Sequence, residues 1–153
     1  MLEKDDSVTR AQFATMLVQA LSLTEAPEYA GFKDVPPNAW YLGALGAAAK
    51  NGLISGYADG SFRPDLEITR AEMAVIVARA ADFVGESLAP GGELSQFEDE
   101  AELPVWAKGA VGEVSSAGIM GGLISGRFDG QRTTTRAQAA VVLKRLLVEV
   151  GFL

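Results

Sequence analysis

The sequence repeats one unit at a constant spacing, and this repeat constrains the fold more than any other feature. The landmarks of the first full copy recur 66 positions later in the second: Trp40 and Trp106, Gly52 and Gly118, Phe62 and Phe128, Arg70 and Arg136. A shorter copy around Arg10 contains only the last part of the unit. Units of this size usually bury their apolar faces against one another. We therefore predict a single domain over 1–153, composed of a half repeat at 1–25 and full repeats at 31–86 and 96–150.

Every copy contains the phrase Thr-Arg-Ala followed by Gln or Glu, which begins at Thr9, Thr69 and Thr135. Thr with Gln or Glu three residues later predicts a capping box at a helix start, and apolar residues at helical spacing follow each copy. Three equivalent helices with broad apolar faces predict a central three-helix bundle. Capping does not explain the Arg, because the helix macrodipole disfavours a cation in the first turn. The arginines of the phrase are therefore candidates for a functional role.

An earlier helix is predicted in each full repeat, at about 40–51 and at about 105–117, and each ends at a glycine. A glycine-rich loop joins this helix to the second one. The segments 24–31 and 86–93 are rich in Pro, Gly and acidic residues, which is typical of linkers. The predicted fold class is therefore mainly α, with tandem helix–loop–helix repeats around the central bundle.

The loop of the first full repeat contains both glycines and apolar residues. We expect Leu53, Ile54 and Phe62 to be buried beneath it, with a short strand pair as one arrangement. The Asp59-Gly60 pair favours a turn over a metal site, because its surroundings do not match the calcium-binding loop of an EF-hand. The residue that corresponds to Asp59 in the next repeat is Ser125.

Composition excludes several classes of function. The net charge of −7 argues against a nucleic-acid binder that relies on a basic surface, and no run of residues is long and apolar enough for a membrane span. The chain has no Cys and no His, which excludes thiol chemistry, disulfides, His-based triads and Cys/His zinc sites. No metal and no cofactor are expected. The first residues do not form a signal peptide, so the chain is expected to remain in the cell or to be part of a longer exported protein.

Taken together, the motifs resemble the S-layer homology (SLH) family. The sequence has Phe-x-Asp beginning at Phe32 and Phe97, with a Trp eight or nine residues later. Gly-Leu-Ile-x-Gly-Tyr-x-Asp-Gly-x-Phe-x-Pro follows from Gly52, and Ile-Thr-Arg-Ala-Glu follows from Ile68. Each motif is weak evidence by itself, but their combination and order are specific. The resemblance covers nearly the whole chain.

The resemblance implies a non-enzymatic module that anchors a longer exported protein to the extracellular bacterial cell surface. The family's ligand is a secondary cell wall polysaccharide with pyruvate ketals, bound in grooves between repeats that surround a helical bundle. Carried over to this sequence, the family's ligand-binding positions are Arg10, Arg70, Arg136, Asp34, Trp40, Gly60, Asp99, Trp106 and Gly126.

This ligand suits the chemistry of these residue types. A pyruvate ketal places a carboxylate on a sugar. We expect helix N-termini to offer free N–H groups to that anion, and Arg to add a bidentate, permanently charged partner. A Trp ring provides a flat apolar surface for a sugar face, and an Asp accepts hydrogen bonds from hydroxyl groups.

Each candidate also has a purely structural explanation. The arginines could pair with a nearby acid such as Asp34, Asp65 or Glu67. The Trp residues could pack in the core at the start of a helix, which is the common role of Trp. Asp34 and Asp99 could cap the helix that follows them. These alternatives remain open at the level of the sequence.

The incomplete first copy predicts unequal grooves. If a groove pairs the Arg of one unit with the front half of the next, Arg10 and Arg70 have partners and Arg136 does not. The third repeat also departs from the pattern, since Leu123 replaces Tyr57 and Asp129-Gly130 replaces Arg-Pro. We therefore expect two complete grooves and a weaker contact at Arg136.

Two other function classes compete with wall anchoring. One is a protein-interaction or S-layer assembly module with decayed ligand sites, in which the incomplete first repeat leaves an apolar face for self-association. The other is a glycosidase that uses two carboxylates, for which Asp34 with Asp59, or Glu98 with Asp99, are the candidates. Neither acidic pair lies in a catalytic motif.

Overall fold

The computed structural model describes residues 6–89, 94–123 and 125–153. Five α-helices form most of this structure: α1 Arg10–Ala20, α2 Leu42–Lys50, α3 Arg70–Phe83, α4 Val105–Ser116 and α5 Arg136–Glu149. Three short 3-10 helices lie between them, at Pro27–Tyr29, Leu94–Gln96 and Glu100–Glu102. Within the described residues, β structure is limited to isolated bridges. The predicted mainly helical fold is confirmed.

Helices α1, α3 and α5 each begin immediately after the Thr of the repeated phrase. In α1, the Gln12 N–H donates to Thr9 Oγ1 at 3.1 Å, and the Thr9 N–H donates to Gln12 Oε1 at 2.9 Å. The same reciprocal pair closes the capping box at Thr69 and at Thr135. The three predicted capping boxes are therefore confirmed. The predicted helix at 40–51 is shorter in the structure, since α2 begins only at Leu42.

The starts of these three helices meet at one junction. Isolated antiparallel bridges join Ser7 to Thr135, Thr9 to Glu67 and Thr69 to Thr133. The fully buried residues Val8 and Ile68 lie between the bridges. Helix α5 contacts both α1 and α3, which forms the predicted helix bundle.

The helices pair across repeats rather than within them. The first helix of each full repeat packs on the second helix of the preceding unit, so that α2 covers α1 and α4 covers α3. In α1, Ala11 and Ala14 are buried. The corresponding residues of α5, Ala137 and Ala140, are exposed. Helix α5 therefore has an uncovered face in the described part of the chain.

Two expectations about the connecting segments need correction. The segment 24–31 is not a plain linker, because it contains the 3-10 helix Pro27–Tyr29 and packs against α2 with Ala26 and Ala30 buried. Part of the second predicted linker, residues 90–93, lies outside the described residues. The loop of the first full repeat buries its apolar residues as predicted, but its residues form no strand pair.

Candidate functional site

Three surface cavities of similar size lie at equivalent places around the bundle. The first, the Arg10 groove, has a volume of about 320 Å³ and is lined by Arg10, Ile54, Ser55, Gly56, Tyr57, Glu72, Val75, Ile76, Arg79 and Trp106. The second, the Arg70 groove, has a volume of about 310 Å³ and is lined by Arg70, residues 119–123, Thr134, Gln138, Val141, Val142 and Arg145. The third, the Arg136 groove, has a volume of about 300 Å³ and is lined by Arg136, Gln12, Thr15, Met16, Gln19 and Trp40.

The lining residues show how a groove is assembled. An Arg from one unit meets the loop and the second helix of the next unit, and a Trp comes from the unit after that. Within the described residues, the Arg10 groove has all of these parts. The Arg70 groove has no Trp in its lining, and no glycine-rich loop reaches the Arg136 groove. The loop in each pairing comes from the next unit, as expected, but the Trp comes from the unit after it. Among the described residues, one groove therefore has every part, rather than the two that we expected.

Arg10 is buried, with 7% of its surface exposed. Its Nε–H donates to the Phe62 carbonyl oxygen at 2.9 Å, and its guanidinium lies 4.6 Å from the Phe62 ring centre. One Nη donates to Glu72 Oε2 at 2.5 Å. Arg10 thus has the ion pair considered above as the structural alternative, but its partner is Glu72 rather than Asp34, Asp65 or Glu67.

Glu72 links three parts of the Arg10 groove. Its Oε1 accepts from the Thr69 N–H at 2.9 Å and so closes the capping box. Its Oε2 accepts from Arg10 and also from the Tyr57 hydroxyl at 3.1 Å. Burial raises the pKa of the Tyr57 hydroxyl; nearby Arg10 opposes this shift, and Glu72 adds to it. The acid and the tyrosine therefore act as one hydrogen-bonded pair.

Arg70 occupies the equivalent place in the next groove without an acidic partner. Its Nε–H donates to the Phe128 carbonyl oxygen at 2.9 Å, and an Nη donates to the Gly121 carbonyl oxygen at 2.5 Å. No ion pair joins it to a carboxylate within the described residues. Burial lowers the pKa of the Arg70 guanidinium from its ordinary value. Two neutral carbonyl groups orient this cation, and its charge remains available.

Arg136 differs from both. Its side chain is exposed, and in the described ranges it has neither an ion pair nor a contact with an aromatic ring. The loop that would orient its guanidinium is absent from the lining of its groove. Arg136 therefore lacks the fixed geometry of Arg10 and Arg70.

The helix N-termini do not offer the free N–H groups that we expected. The Arg10 N–H donates to the Leu66 carbonyl at 2.8 Å, and the Ala11 N–H donates to the Pro64 carbonyl at 3.0 Å. Arg70 and Ala71 bond in the same way to carbonyl oxygens of the third repeat. The end of the following loop therefore caps these helices, because their first donors need acceptors. An anion in these grooves has to rely on side chains.

The carboxylates of Asp34 and Asp99 fix the glycine-rich loops by hydrogen bonds to their backbone. The Asp99 residue is 2% exposed, and its carboxylate accepts from the Phe128 N–H at 2.9 Å and from the Asp129 N–H at 2.8 Å. In the other repeat, the Asp34 carboxylate accepts from the N–H groups of Phe62 and Arg63. Burial alone would raise the pKa of each carboxyl group, but these hydrogen bonds outweigh it and lower both pKa values. Neither Asp caps the helix that follows, which corrects that alternative.

The two Trp rings are exposed rather than packed in the core. Trp40 is 68% exposed and Trp106 is 60% exposed. Trp106 lines the Arg10 groove and Trp40 lines the Arg136 groove. Gly60 and Gly126 adopt a positive φ in the turns of their loops and line none of the three cavities. Gly56 is the glycine that reaches the Arg10 groove.

Several lining residues were not identified as candidates from the sequence. The sequence indicated only a capping role for Glu72, and no motif in it pointed to Arg79 or Arg145. The fourth position of the phrase carries the missed signal, since it is Glu72 in one copy and Gln in the other two. An ionic side chain at that position reaches into the groove as well as back to the cap.

Other kinds of site find little support. The described residues contain no group of three or more Asp or Glu side chains placed to hold a metal ion. None of the described helices has the length and apolar character needed to cross a membrane.

Comparison with known proteins identifies the fold family. The profile of the S-layer homology domain matches residues 31–74 and 97–140. The chain is 34% identical over 146 residues to an endoglucanase of Bacillus sp. (strain KSM-635), which covers 95% of this chain and 15% of that protein. It is 34% identical over 151 residues to the surface-layer 125 kDa protein of Lysinibacillus sphaericus, and the match covers 94% of this chain and 12% of that protein. The exoglucanase XynX of Acetivibrio thermocellus is 35% identical over 146 residues, and the match covers 95% of this chain and 13% of that protein.

The match is confined to a small part of each relative. The chain spans less than one sixth of the length of these relatives. The enzymes among them match only in this region, so the similarity concerns a shared binding domain and not their catalytic parts. The chain therefore belongs to the S-layer homology family, whose domains are binding modules that anchor proteins to the bacterial cell wall.

Proposed function

We propose that this chain anchors a longer exported protein to the bacterial cell surface by binding an anionic, pyruvylated wall polysaccharide in the grooves between its repeats. The chain itself carries out no reaction in this role. The carboxylate of a pyruvate ketal would bind an arginine of the groove, and neighbouring sugar faces would lie on an exposed Trp.

The observation that most supports this proposal is a guanidinium held in the same geometry in two neighbouring grooves. In both, the Arg Nε–H donates to a Phe carbonyl at 2.9 Å, and the guanidinium lies 4.6 Å from the ring of that Phe. A side chain fixed before binding loses little conformational entropy when the ligand arrives. The geometry thus suits recognition of a planar acid.

Exposed Trp rings provide the second part of the recognition. Trp is highly buried on average in folded proteins, so two exposed Trp rings beside surface cavities suit contact with a ligand. Trp106 faces the same cavity as Arg10, and Trp40 faces the same cavity as Arg136. A sugar that carries its acid on one edge has an apolar face that can stack on such a ring.

Sedimentation with purified bacterial walls tests the anchoring role. We expect the chain to pellet with walls that retain their secondary polysaccharide and to stay in solution with walls stripped of it. Arg70→Ala should weaken pelleting by about 10-fold or more, the effect of losing a hydrogen bond to a charged group. Lys50→Ala is the matched control, because it removes one positive charge from an exposed site outside the grooves. Equal pelleting with both kinds of wall would contradict the proposal.

A second candidate function is self-association through the uncovered face of α5. On that face Ala137 and Ala140 are exposed, although their counterparts in α1, Ala11 and Ala14, are buried. Val141 and Val148 are 47% and 55% exposed on the same helix. Two copies could cover these faces by packing α5 against α5.

Light scattering during size exclusion tests this second function. Self-association predicts a mass that rises with concentration and returns to that of one chain in Ala140→Glu, which would place a charge in the contact. A single-chain mass at every concentration would contradict it. Wall binding by that single chain would then favour the anchor.

A further inference from the structure

We propose that the exposed side of α5 is a docking surface for the front half of a further repeat unit, provided by polypeptide outside these 153 residues. By front half we mean the first helix of a unit together with its glycine-rich loop. The docking surface, called the α5 face below, consists of residues at helical spacing on one side of the helix: Ala137, Ala140, Val141, Lys144 and Val148.

The positions of the α5 face are buried in both other copies of the helix. In α3 the corresponding residues Ala71, Ala74 and Ala78 are at most 8% exposed, and α1 buries the same positions. The loop of the third repeat packs on this side of α3, since a Cβ on Gly130 would lie 3.3 Å from the Ala71 Cβ. Helices α1 and α3 each contact a first helix, whereas α5 contacts none among the described elements. The same face is therefore covered twice and open once.

A second part of the repeat is missing at the same place. The Nε–H groups of Arg10 and Arg70 each donate to a carbonyl oxygen in the loop of the front half that covers their helix. Arg136 is exposed, and no glycine-rich loop reaches its groove within the described residues. One front half would supply both a helix for the α5 face and a carbonyl acceptor for Arg136. Two separate gaps thus indicate one occupant.

The backbone at the start of α5 is already arranged as in the covered helices. The Arg136 N–H donates to the Asp6 carbonyl at 3.1 Å, and the equivalent N–H groups of α1 and α3 bond in the same way to Leu66 and Arg132. In both full repeats the front half runs directly into that acceptor, and its helix ends the same number of residues ahead of it. A front half joined to Asp6 with this spacing would place its helix on the α5 face.

A second copy of this chain suits the α5 face less well. Its helices α2 and α4 are already engaged with its own α1 and α3. Two α5 faces packed about a twofold axis would bring Lys144 of each chain to the same contact, and like charges in a covered contact repel each other. The repeat therefore favours a first helix over another α5.

Lys144 also indicates the charge of the partner helix. Burial and the nearby Asp82 of α3 together raise the pKa of the Glu113 carboxyl in α4. The residue of α5 that corresponds to Asp82 is Val148, and Lys144 lies about one helical turn before it. An acid at the place of Glu113 would therefore meet a cation on α5, where α4 meets an anion on α3. The partner helix is thus of the α4 type, with small residues on its packing face and an acid at this position.

Titration of the isotope-labelled full chain with a synthetic peptide tests the proposal. The peptide has the sequence of residues 97–130, which is the front half of the third repeat. We expect saturable changes in the NMR amide signals of Ala137, Ala140 and Val141. The signals of Ala71 and Ala74 are the internal control and should not change, because the chain's own front half covers α3 at a high effective concentration.

Substitutions on the α5 face test its chemistry. Ala140→Glu should abolish binding of the peptide, because it would bury an unpaired charge. Lys144→Glu should weaken binding by about 3- to 10-fold, and a peptide with Glu113→Lys should restore it. Lys50→Glu makes the same charge change at an exposed residue of α2 and should bind like the unaltered chain. Circular dichroism confirms folding of the variants.

The outcomes are independent of the wall polysaccharide, so they leave the proposed wall-binding function untouched. Absence of any change in the α5 signals at millimolar peptide would overturn the proposal. It would also be wrong if light scattering showed the chain alone to be a dimer that Ala140→Glu dissociates, because a second copy would then occupy the face. Equal binding by Lys144→Glu and Lys50→Glu would contradict the acid on the partner helix.

Discussion

Arg10 and Arg70 have the same place in the repeat and different electrostatic roles. Arg10 is neutralised by Glu72 within the protein, whereas Arg70 is held by two carbonyl oxygens. Removing one member of a buried ion pair is costly, because the other charge is left without compensation. The first arginine should therefore matter more for stability, and the second should matter more for binding.

Arg10→Ala is expected to lower the free energy of unfolding by about 3 kcal/mol, since it leaves Glu72 and the Phe62 carbonyl without their partner. Chemical denaturation at pH 7 followed by circular dichroism measures this loss. Arg136→Ala is the matched control: its side chain is exposed, so the change should stay within about 0.5 kcal/mol. Equal effects of the two substitutions would contradict a structural role for Arg10.

The stability of the domain should depend on Asp99 in acid. The pKa of its carboxyl group is lowered in the folded state, so its contribution is complete above the unfolded pKa of about 3.9 and is lost as the pH falls through the lower folded value. Asp99→Asn should lower the free energy of unfolding by about 1–3 kcal/mol at pH 7. Below about pH 4, the stability of the variant should fall less steeply than that of the unaltered chain. Urea unfolding across a pH series measures both effects, and parallel curves would contradict the prediction.

At the scale of single elements, close packing of α2 depends on a glycine. A Cβ placed at Gly46 would lie 1.8 Å from the Ala26 carbonyl oxygen, which belongs to the backbone before the 3-10 helix. By contrast, a Cβ at Gly109 in α4 would meet no atom within 4 Å. The two helices are equivalent in the repeat, although Gly109 corresponds to Gly43 rather than to Gly46. Gly109 therefore serves as a control for the same substitution in an uncrowded part of an equivalent helix.

Gly46→Ala should destabilise the domain by about 1–3 kcal/mol, because the segment before α2 has to move. Gly109→Ala should stabilise it by about 0.5–1 kcal/mol, since Ala is the better helix former and has room. Thermal unfolding by calorimetry distinguishes the two. If Gly109→Ala instead destabilised the domain, a methyl group would not fit at this position of α4, which would contradict the prediction.

The helices themselves were predictable because their signals are local. The capping phrase is complete within four residues, and the apolar spacing repeats within each helix, so both can be identified without knowing the fold. Pairing of α2 with α1 across repeats was not predictable in this way. Helix α2 buries mainly small residues such as Ala47 and Ala48, which give little sequence signal about the helix that they pack against.

At the scale of the whole molecule, the three repeat units are tied together at the junction of the helix starts. The Val8 N–H donates to the Thr134 carbonyl at 2.9 Å, and the Ile68 N–H donates to the Val8 carbonyl at 3.0 Å. These bonds join the beginning of the described chain to its last repeat and to its middle. Opening one of them requires separation of whole units.

The amide protons of Val8 and Ile68 should therefore exchange only through global unfolding. Native-state hydrogen exchange followed by NMR measures this, and their opening free energies should equal that from denaturation. The Gly60 amide is the control, because its bond to the Tyr57 carbonyl has a similar length of 3.0 Å but lies in an exposed turn. It should exchange much faster. Rapid exchange at Val8 would contradict a cooperative junction.

The composition of each groove was only partly predictable from sequence. The constant spacing of the repeat indicated that an Arg meets the loop of the next unit, which is correct for Arg10 and Arg70. It could not indicate that Trp106 reaches the Arg10 groove, because this follows from α4 packing on α3. Nor could it show that Glu72 bonds to Arg10, since that contact joins two different repeats in space.

Because each groove combines parts of two or three repeat units, a single repeat is not a transferable binding cassette. Gain or loss of one copy by recombination in the gene would alter every groove to which that copy contributes. A point substitution between Glu and Gln at the fourth position of the phrase would instead alter one groove and leave its helix cap intact. Tandem copies of this kind can therefore diversify in the charge of their grooves by single-base changes long before their number changes.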